Sequence, residues 1–107
     1  MRELTQKKCK ACEGGVPILK KEEIQNLLPQ VKEWEATKKE IFKNFEFKNF
    51  QEALAFINKV GEIAENEGHH PDIFLHSYKK VKISLSTHSI NGLSENDFIV
   101  ASKIDGI

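Results

Sequence analysis

The sequence has no charge of either sign to spare. Sixteen Lys and Arg balance sixteen Asp and Glu over 107 residues, which argues against a polyanionic partner and so against nucleic acid. No apolar run approaches the roughly 20 residues that a membrane span needs, so no membrane partner is expected. Residues Met1 to Lys10 are polar and contain no hydrophobic stretch that could act as a secretory leader, which leads to the expectation of a cytoplasmic protein. Internal repeats and low-complexity segments are lacking as well. Cysteine is scarce: Cys9 and Cys12 are the chain's two. A structural zinc normally takes four ligands, and there is no second pair to complete one. The flanks of this Cys-x-x-Cys do not read as the strand-to-helix turn of a redox motif. Residues 1–15 therefore read as a polar, mobile N-terminal tail with reduced thiols, a zinc shared between subunits being the open alternative.

What is present is an ordinary globular balance, 39% hydrophobic and 30% charged, in a chain the length of one domain. Residues 16–107 are expected to form it. A domain this small has a modest core, which makes burial of further surface in an oligomer reasonable.

Periodicity divides the chain into seven elements. Pro17 to Val31 reads as a helix, with Ile24, Leu27, Leu28 and Val31 at helical spacing and Pro29 bending or ending it. Trp34 to Thr37 and Glu40 to Lys48 read as strands; in the second, Ile41, Lys43, Phe45 and Phe47 share one face. Asn49 to Gly68 is the clearest helix. Asn49 with Glu52 resembles a capping pair, Phe50, Ala53, Leu54, Ile57, Val60 and Ala64 form an apolar stripe, and Gly68 is suited to end it. Asp72 to Tyr78 and Lys79 to Thr87 read as two more strands. Val81, Ile83, Leu85 and Thr87 alternate with polar residues there. Asn91-Gly92 is a turn signal, and Ser94 with Asp97 marks the start of a last helix supplied with Phe98, Ile99 and Ala101. The expectation is an α+β fold, a four-stranded antiparallel sheet with helices packed on one face, in the order α-β-β-α-β-β-α.

Three of the four histidines, His69, His70 and His88, fall at element ends within Glu65 to Asp97. Imidazole has an unperturbed pKa of about 6.5, which suits it to donating and accepting protons at neutral pH. His69 and His70 follow a helix C-terminus, whose partial negative charge, with Glu65 beside it, attracts a cation such as imidazolium. Three imidazoles and a water can hold a catalytic zinc, but adjacent His69 and His70 point in different directions, so no metal is expected. Taken singly, His69 reads as a group that bonds the free carbonyls of a helix end, and His88 as one that satisfies strand ends. His76 reads as a solvated strand residue. Asp97 reads equally as a helix cap, Glu65 as a solvated helix-end carboxylate, and Trp34 as core.

The ordered set Glu65-x3-His69-His70-Pro71, Tyr78-x2-Val81, Ser86-Thr87-His88 and Gly92-Leu93-Ser94-x2-Asp97 resembles the signature of the pterin-4a-carbinolamine dehydratases. The resemblance implies an antiparallel sheet covered by helices on one side, and homo-oligomers, dimers or tetramers, in which two sheets join into one. It implies dehydration of a 4a-hydroxytetrahydropterin to a quinonoid dihydropterin in tetrahydropterin recycling, with a small-molecule pterin as partner and no cofactor. His69, His70 and His88 are the implied acid and base groups, with His70 assigned to the leaving hydroxyl and His69 or His88 to the ring proton. Glu65 is expected to orient a histidine or hold its charge; Pro71, Ser86, Thr87, Asp97 and Trp34 are the further candidates for substrate contact. Animal relatives also act as transcriptional coactivators, which makes a non-catalytic dimerisation or assembly module the alternative. Six residues separate Pro71 from Tyr78, one more than in the animal form, which predicts a bulge or a longer turn there.

Overall fold

The computed structural model describes residues 4–7 and 17–107. Cys9 and Cys12, with the questions they raise, lie outside the described residues. The elements are α1 (Lys21–Leu27), β1 (Glu35–Ala36), β2 (Ile41–Glu46), α2 (Phe50–Glu67), β3 (Asp72–His76), β4 (Lys80–Leu85) and α3 (Glu95–Asp105). The expected order holds. All neighbouring strands are antiparallel, in the spatial order β1-β2-β4-β3. None of the described helices is long and apolar enough to cross a membrane.

The first helix is shorter than the periodicity predicted. Pro17 to Lys20 is non-helical, with the Leu19 amide donating to the Leu93 carbonyl at 2.8 Å. α1 then passes into a 3-10 turn, Leu28–Gln30, at Pro29, where the missing N–H stops the α-helical ladder. The stripe itself was read correctly: Val31 is buried, and Ile24, Leu27 and Leu28 pack against the core.

α2 begins where Asn49 Oδ1 accepts the Glu52 amide at 2.9 Å and ends at Gly68, whose φ of 65° is left-handed. Its buried residues are Ala53, Phe56, Val60 and Ala64, while Phe50 and Leu54 are exposed. The apolar face is thus rotated from the predicted stripe. Phe56 fixes the rotation, since its ring lies 4.6 and 4.8 Å from those of Phe45 and Phe47 on and just beyond β2.

α3 is buried almost all round, from Asn96 to Ser102 and again at Ile104. It packs against α2 on one side and is covered on another by a short 3-10 turn, Leu4–Gln6. Leu4 joins the core, and Lys7 Nζ donates to Glu95 at 2.8 Å. The described part of the expected mobile tail is therefore docked, because Leu4 covers apolar surface of α3 that would otherwise meet water. Lys103 Nζ reaches Glu67 Oε2 at 2.6 Å and ties the ends of α3 and α2 together.

The loop between β3 and β4 decides the question raised by the extra residue. Pairing runs unbroken from Asp72 opposite Ser84 to His76 opposite Lys80, so the strand has no bulge. The residue is taken up in the turn, where Ser77 and Tyr78 have φ of 50° and 52°. His76 is half-buried and stacks on Phe74, ring centres 4.9 Å apart.

At the C-terminal end of α3, Asp105 accepts from the Lys32 amide (2.8 Å), Trp34 Nε1 (2.9 Å) and Lys43 Nζ (3.1 Å). Its side chain is 7% exposed, so removing it leaves a half-buried ammonium and an indole N–H without this acceptor. The expected result for Asp105→Ala is a loss of about 3 kcal/mol in urea unfolding, the scale for breaking a buried pair from one side. A loss under about 1 kcal/mol, the scale of a surface pair, would show that this cluster is not what pins residues 32–34.

Candidate active site

β3 starts opposite Ser84 and β2 starts opposite Leu85. Three chain ends therefore meet at one end of the sheet: His69–Pro71 leading into β3, Ser86–His88 leaving β4, and Lys39–Glu40 leading into β2. The strand order brings the β2 end beside the β4 end although more than forty residues separate them in sequence.

Gly68 sets the first of these ends. Its left-handed turn closes α2, with the His69 amide still bonded to the Ala64 carbonyl at 3.2 Å. The two histidines then leave in opposite directions. His69 is 5% exposed, and its Nε2 lies 2.6 Å from Asp97 Oδ1. A carboxylate only accepts, so Nε2 carries the proton and the tautomer is set. His70 is exposed, with Nε2 2.7 Å from Glu65 Oε1, one turn back on α2.

Asp97 is fully buried and takes more than the imidazole. Its Oδ2 accepts from Thr87 Oγ1 at 2.8 Å and from the Ser94 amide at 3.0 Å. Since Thr87 gives its proton to Asp97, the 2.7 Å contact between Thr87 and Ser94 hydroxyls must run from Ser94 to Thr87. A buried carboxylate needs such donors, and here they come from the loop after α2, the end of β4 and the start of α3. Both readings of Asp97 hold together: it caps α3 and it holds a histidine.

His88 opens a 3-10 turn, His88–Ile90, closed by the Thr87 amide to the Gly92 carbonyl (2.8 Å) and by left-handed Asn91 (φ 53°). Its imidazole is exposed and has no hydrogen-bond partner among the described residues. The three histidines thus stand, among the described residues, in three states: buried on a carboxylate, exposed on a carboxylate, and without a hydrogen-bond partner. Among the described residues no group of three or more His, Cys, Asp or Glu is placed to hold a metal ion.

Two depressions flank the buried network. An open groove runs past His70, Glu65 and Pro71 along α2. A smaller cleft of about 200 Å³ is bounded by Lys39, Glu40, Ser86, His88 and Asn91, with Thr87 at its base. The structure therefore gathers Glu65, His69, His70, Pro71, Ser86, Thr87, His88 and Asp97 at one end of the sheet. Trp34 stands apart. It is buried, bonded to Asp105 and edge-on to Phe45. Asp105 lies eight positions beyond Asp97 on α3, about 12 Å along the helix. Lys39 and Glu40 were not read as neighbours of the histidines, and no local pattern could have placed them, because the register of β2 on β4 does so.

Comparison with known proteins fits this geometry. The family model described as pterin 4 alpha carbinolamine dehydratase matches residues 17–107. A relative from Nitrosomonas eutropha, provisionally named pterin-4-alpha-carbinolamine dehydratase, is 46% identical over 104 residues, covering 96% of this chain and 91% of its own. Another with the same provisional name, from Methylococcus capsulatus, is 50% identical over 106 residues, covering 95% and 90%. A solved structure described as a transcriptional coactivator/pterin dehydratase from Brucella melitensis superposes with a TM-score of 0.79 at 32% identity, over 84% of this chain and 97% of the other. A pterin dehydratase-like protein identified as a RuBisCO assembly factor in the alpha-carboxysome shares the fold, with a TM-score of 0.55 at 23% identity over 68% and 83%.

Thr87→Val keeps the shape and removes the donor to Asp97 and the acceptor for Ser94. It is expected to cost about 1–3 kcal/mol, the penalty for unsatisfied buried polar groups, measured by thermal or urea unfolding. An unchanged stability would mean that Asp97 is held without it.

Proposed function

The chain belongs to the pterin 4 alpha carbinolamine dehydratase family, and from that premise we propose that it dehydrates a 4a-hydroxytetrahydropterin to a quinonoid dihydropterin in the cytoplasm, as a step of tetrahydropterin recycling. The observation that supports this reading is the set of three differently bonded histidines at one end of the sheet. In the reaction the C4a–O bond and the N5–H bond break, a C4a=N5 double bond forms, and water leaves. One group must give a proton to the departing hydroxyl, and another must take the proton from N5.

His70 is suited to the first task. Glu65 holds its Nε2 and leaves Nδ1 for the hydroxyl. His88, with no partner of its own among the described residues, is suited to take the N5 proton. Both are exposed, so exchange with water resets them after each turnover. His69, held by Asp97 and buried, is given the orienting task. Each proton transfer of this kind contributes about 10²- to 10⁴-fold in rate, and the scheme requires no cofactor. The reading includes self-association: β3 is an edge strand with Ile73 and Phe74 exposed, and pairing of edges would cover it.

The alternative is a module that works through its surface without turnover, for which the exposed Phe50 and Leu54 on α2 speak. The deciding experiment follows the decay of freshly generated 4a-hydroxytetrahydropterin. Wild type is expected to accelerate it, and His70→Ala to lose about a hundredfold while staying folded. A folded wild type that leaves the spontaneous rate unchanged would favour the surface module. A chelator such as EDTA is expected to leave the catalysed rate intact; loss of rate restored by zinc would contradict the scheme.

A further inference from the structure

Among the charged side chains at this end of the sheet, Lys39 and Glu40 are not used by the scheme above. Both border the cleft that contains His88. Neither side chain has a hydrogen-bond or ion-pair partner among the described residues, although each sits next to the other in sequence. They are also held in place. The hairpin that carries them is closed by the Thr37 amide to the Glu40 carbonyl at 2.8 Å. Thr37 Oγ1 in turn accepts the amides of Lys39 (3.3 Å) and Glu40 (3.1 Å). The backbone and Thr37 fix the turn, which leaves the ammonium and the half-buried carboxylate free to meet a ligand.

Resting on the dehydratase reading, we propose that this hairpin reads the pyrimidine edge of the pterin: Glu40 accepts from the 2-amino group and N3–H, and Lys39 donates to the 4-oxo oxygen. That edge presents two donors and then an acceptor, and a carboxylate followed by an ammonium is its complement. Charged partners make such bonds stronger than neutral ones. The hairpin at the start of β2 and His70 at the approach to β3 lie on either side of β4, two strand spacings or about 10 Å apart, a span suited to the long axis of a fused two-ring heterocycle. With its pyrimidine edge on the hairpin, the ring places C4a and N5 over Ser86–His88, between His88 and His70, where the scheme needs them. The cleft, about 200 Å³, is below the roughly 300–1,000 Å³ of sites for drug-sized ligands. It suits one ring edge, with the C6 substituent directed outward.

The test uses oxidised pterin and lumazine, which carries a 2-oxo group in place of the 2-amino group; neither can be dehydrated. Binding is measured by fluorescence titration to the wild-type protein and to Glu40→Gln, Lys39→Met and Lys39→Arg. These changes spare the backbone bonds that hold the turn, and circular dichroism confirms the fold. Wild type is expected to prefer pterin over lumazine by about tenfold or more, the scale of one bond to a charged group. Glu40→Gln should bring that preference to about twofold. Lys39→Met should weaken both ligands about tenfold, with recovery in Lys39→Arg. A wild type that binds pterin and accelerates dehydration, with the same preference in Glu40→Gln and the same affinity in Lys39→Met, overturns the edge-reading role and leaves the dehydratase reading standing. A wild type that binds neither compound and leaves the dehydration rate unchanged overturns both.

Discussion

The end of the sheet that carries the three histidines depends on one buried carboxylate. Asp97 has no access to water and three donors meet its carboxylate, the His69 imidazole, the Thr87 hydroxyl and the Ser94 amide, with the Ser94 hydroxyl behind Thr87. Each donor belongs to a different piece of chain, so the carboxylate fixes the loop after α2, the end of β4 and the start of α3 relative to one another. Bonds to a charged group contribute roughly 1.5–3 kcal/mol each, and a buried charge deprived of them is costlier still. The exposed His70–Glu65 pair, by contrast, belongs to a class worth about 0–1 kcal/mol. The buried contact holds the site together, and the surface contact only aims a ring.

That division of labour follows from covalent geometry. Gly68 ends α2 in a left-handed turn, and the next two residues project to opposite sides. One imidazole is driven into the core, where the Asp97 carboxylate accepts from it, and the other into solvent, where it can trade protons. The expectation that adjacent histidines point apart was the part of the site most directly readable from sequence. The same holds for Asp97 at the fourth position of the Ser94 cap. What could not be read was that capping and histidine-holding are done by the two oxygens of one carboxylate, because that depends on β4 bringing Thr87 to the same point.

The fold was legible where periodicity is a local property. The alternation of Val81, Ile83 and Leu85, the Asn49 cap and the Gly68 stop appear as expected. It was illegible where a neighbour decides. Phe56 rather than Leu54 faces inward because two β2-side phenylalanines wait there. α3 is buried almost all round because α2 and Leu4 close over it, which no amphipathic stripe announces. Trp34 is held by Asp105, a partner from the far end of the chain. Lys39 and Glu40 come beside His88 only through strand register.

The claim that orders this account is that Asp97 holds His69 through a protonated Nε2. A two-bond ¹H–¹⁵N correlation spectrum of the histidine side chains, recorded at neutral pH, tests it directly. One imidazole should show a protonated Nε2 whose hydrogen exchanges slowly and disappears in Asp97→Asn, while the ring nitrogens of His88 exchange freely with water. A spectrum in which every histidine Nε2–H exchanges at the solvent rate, in a folded protein, would contradict the account.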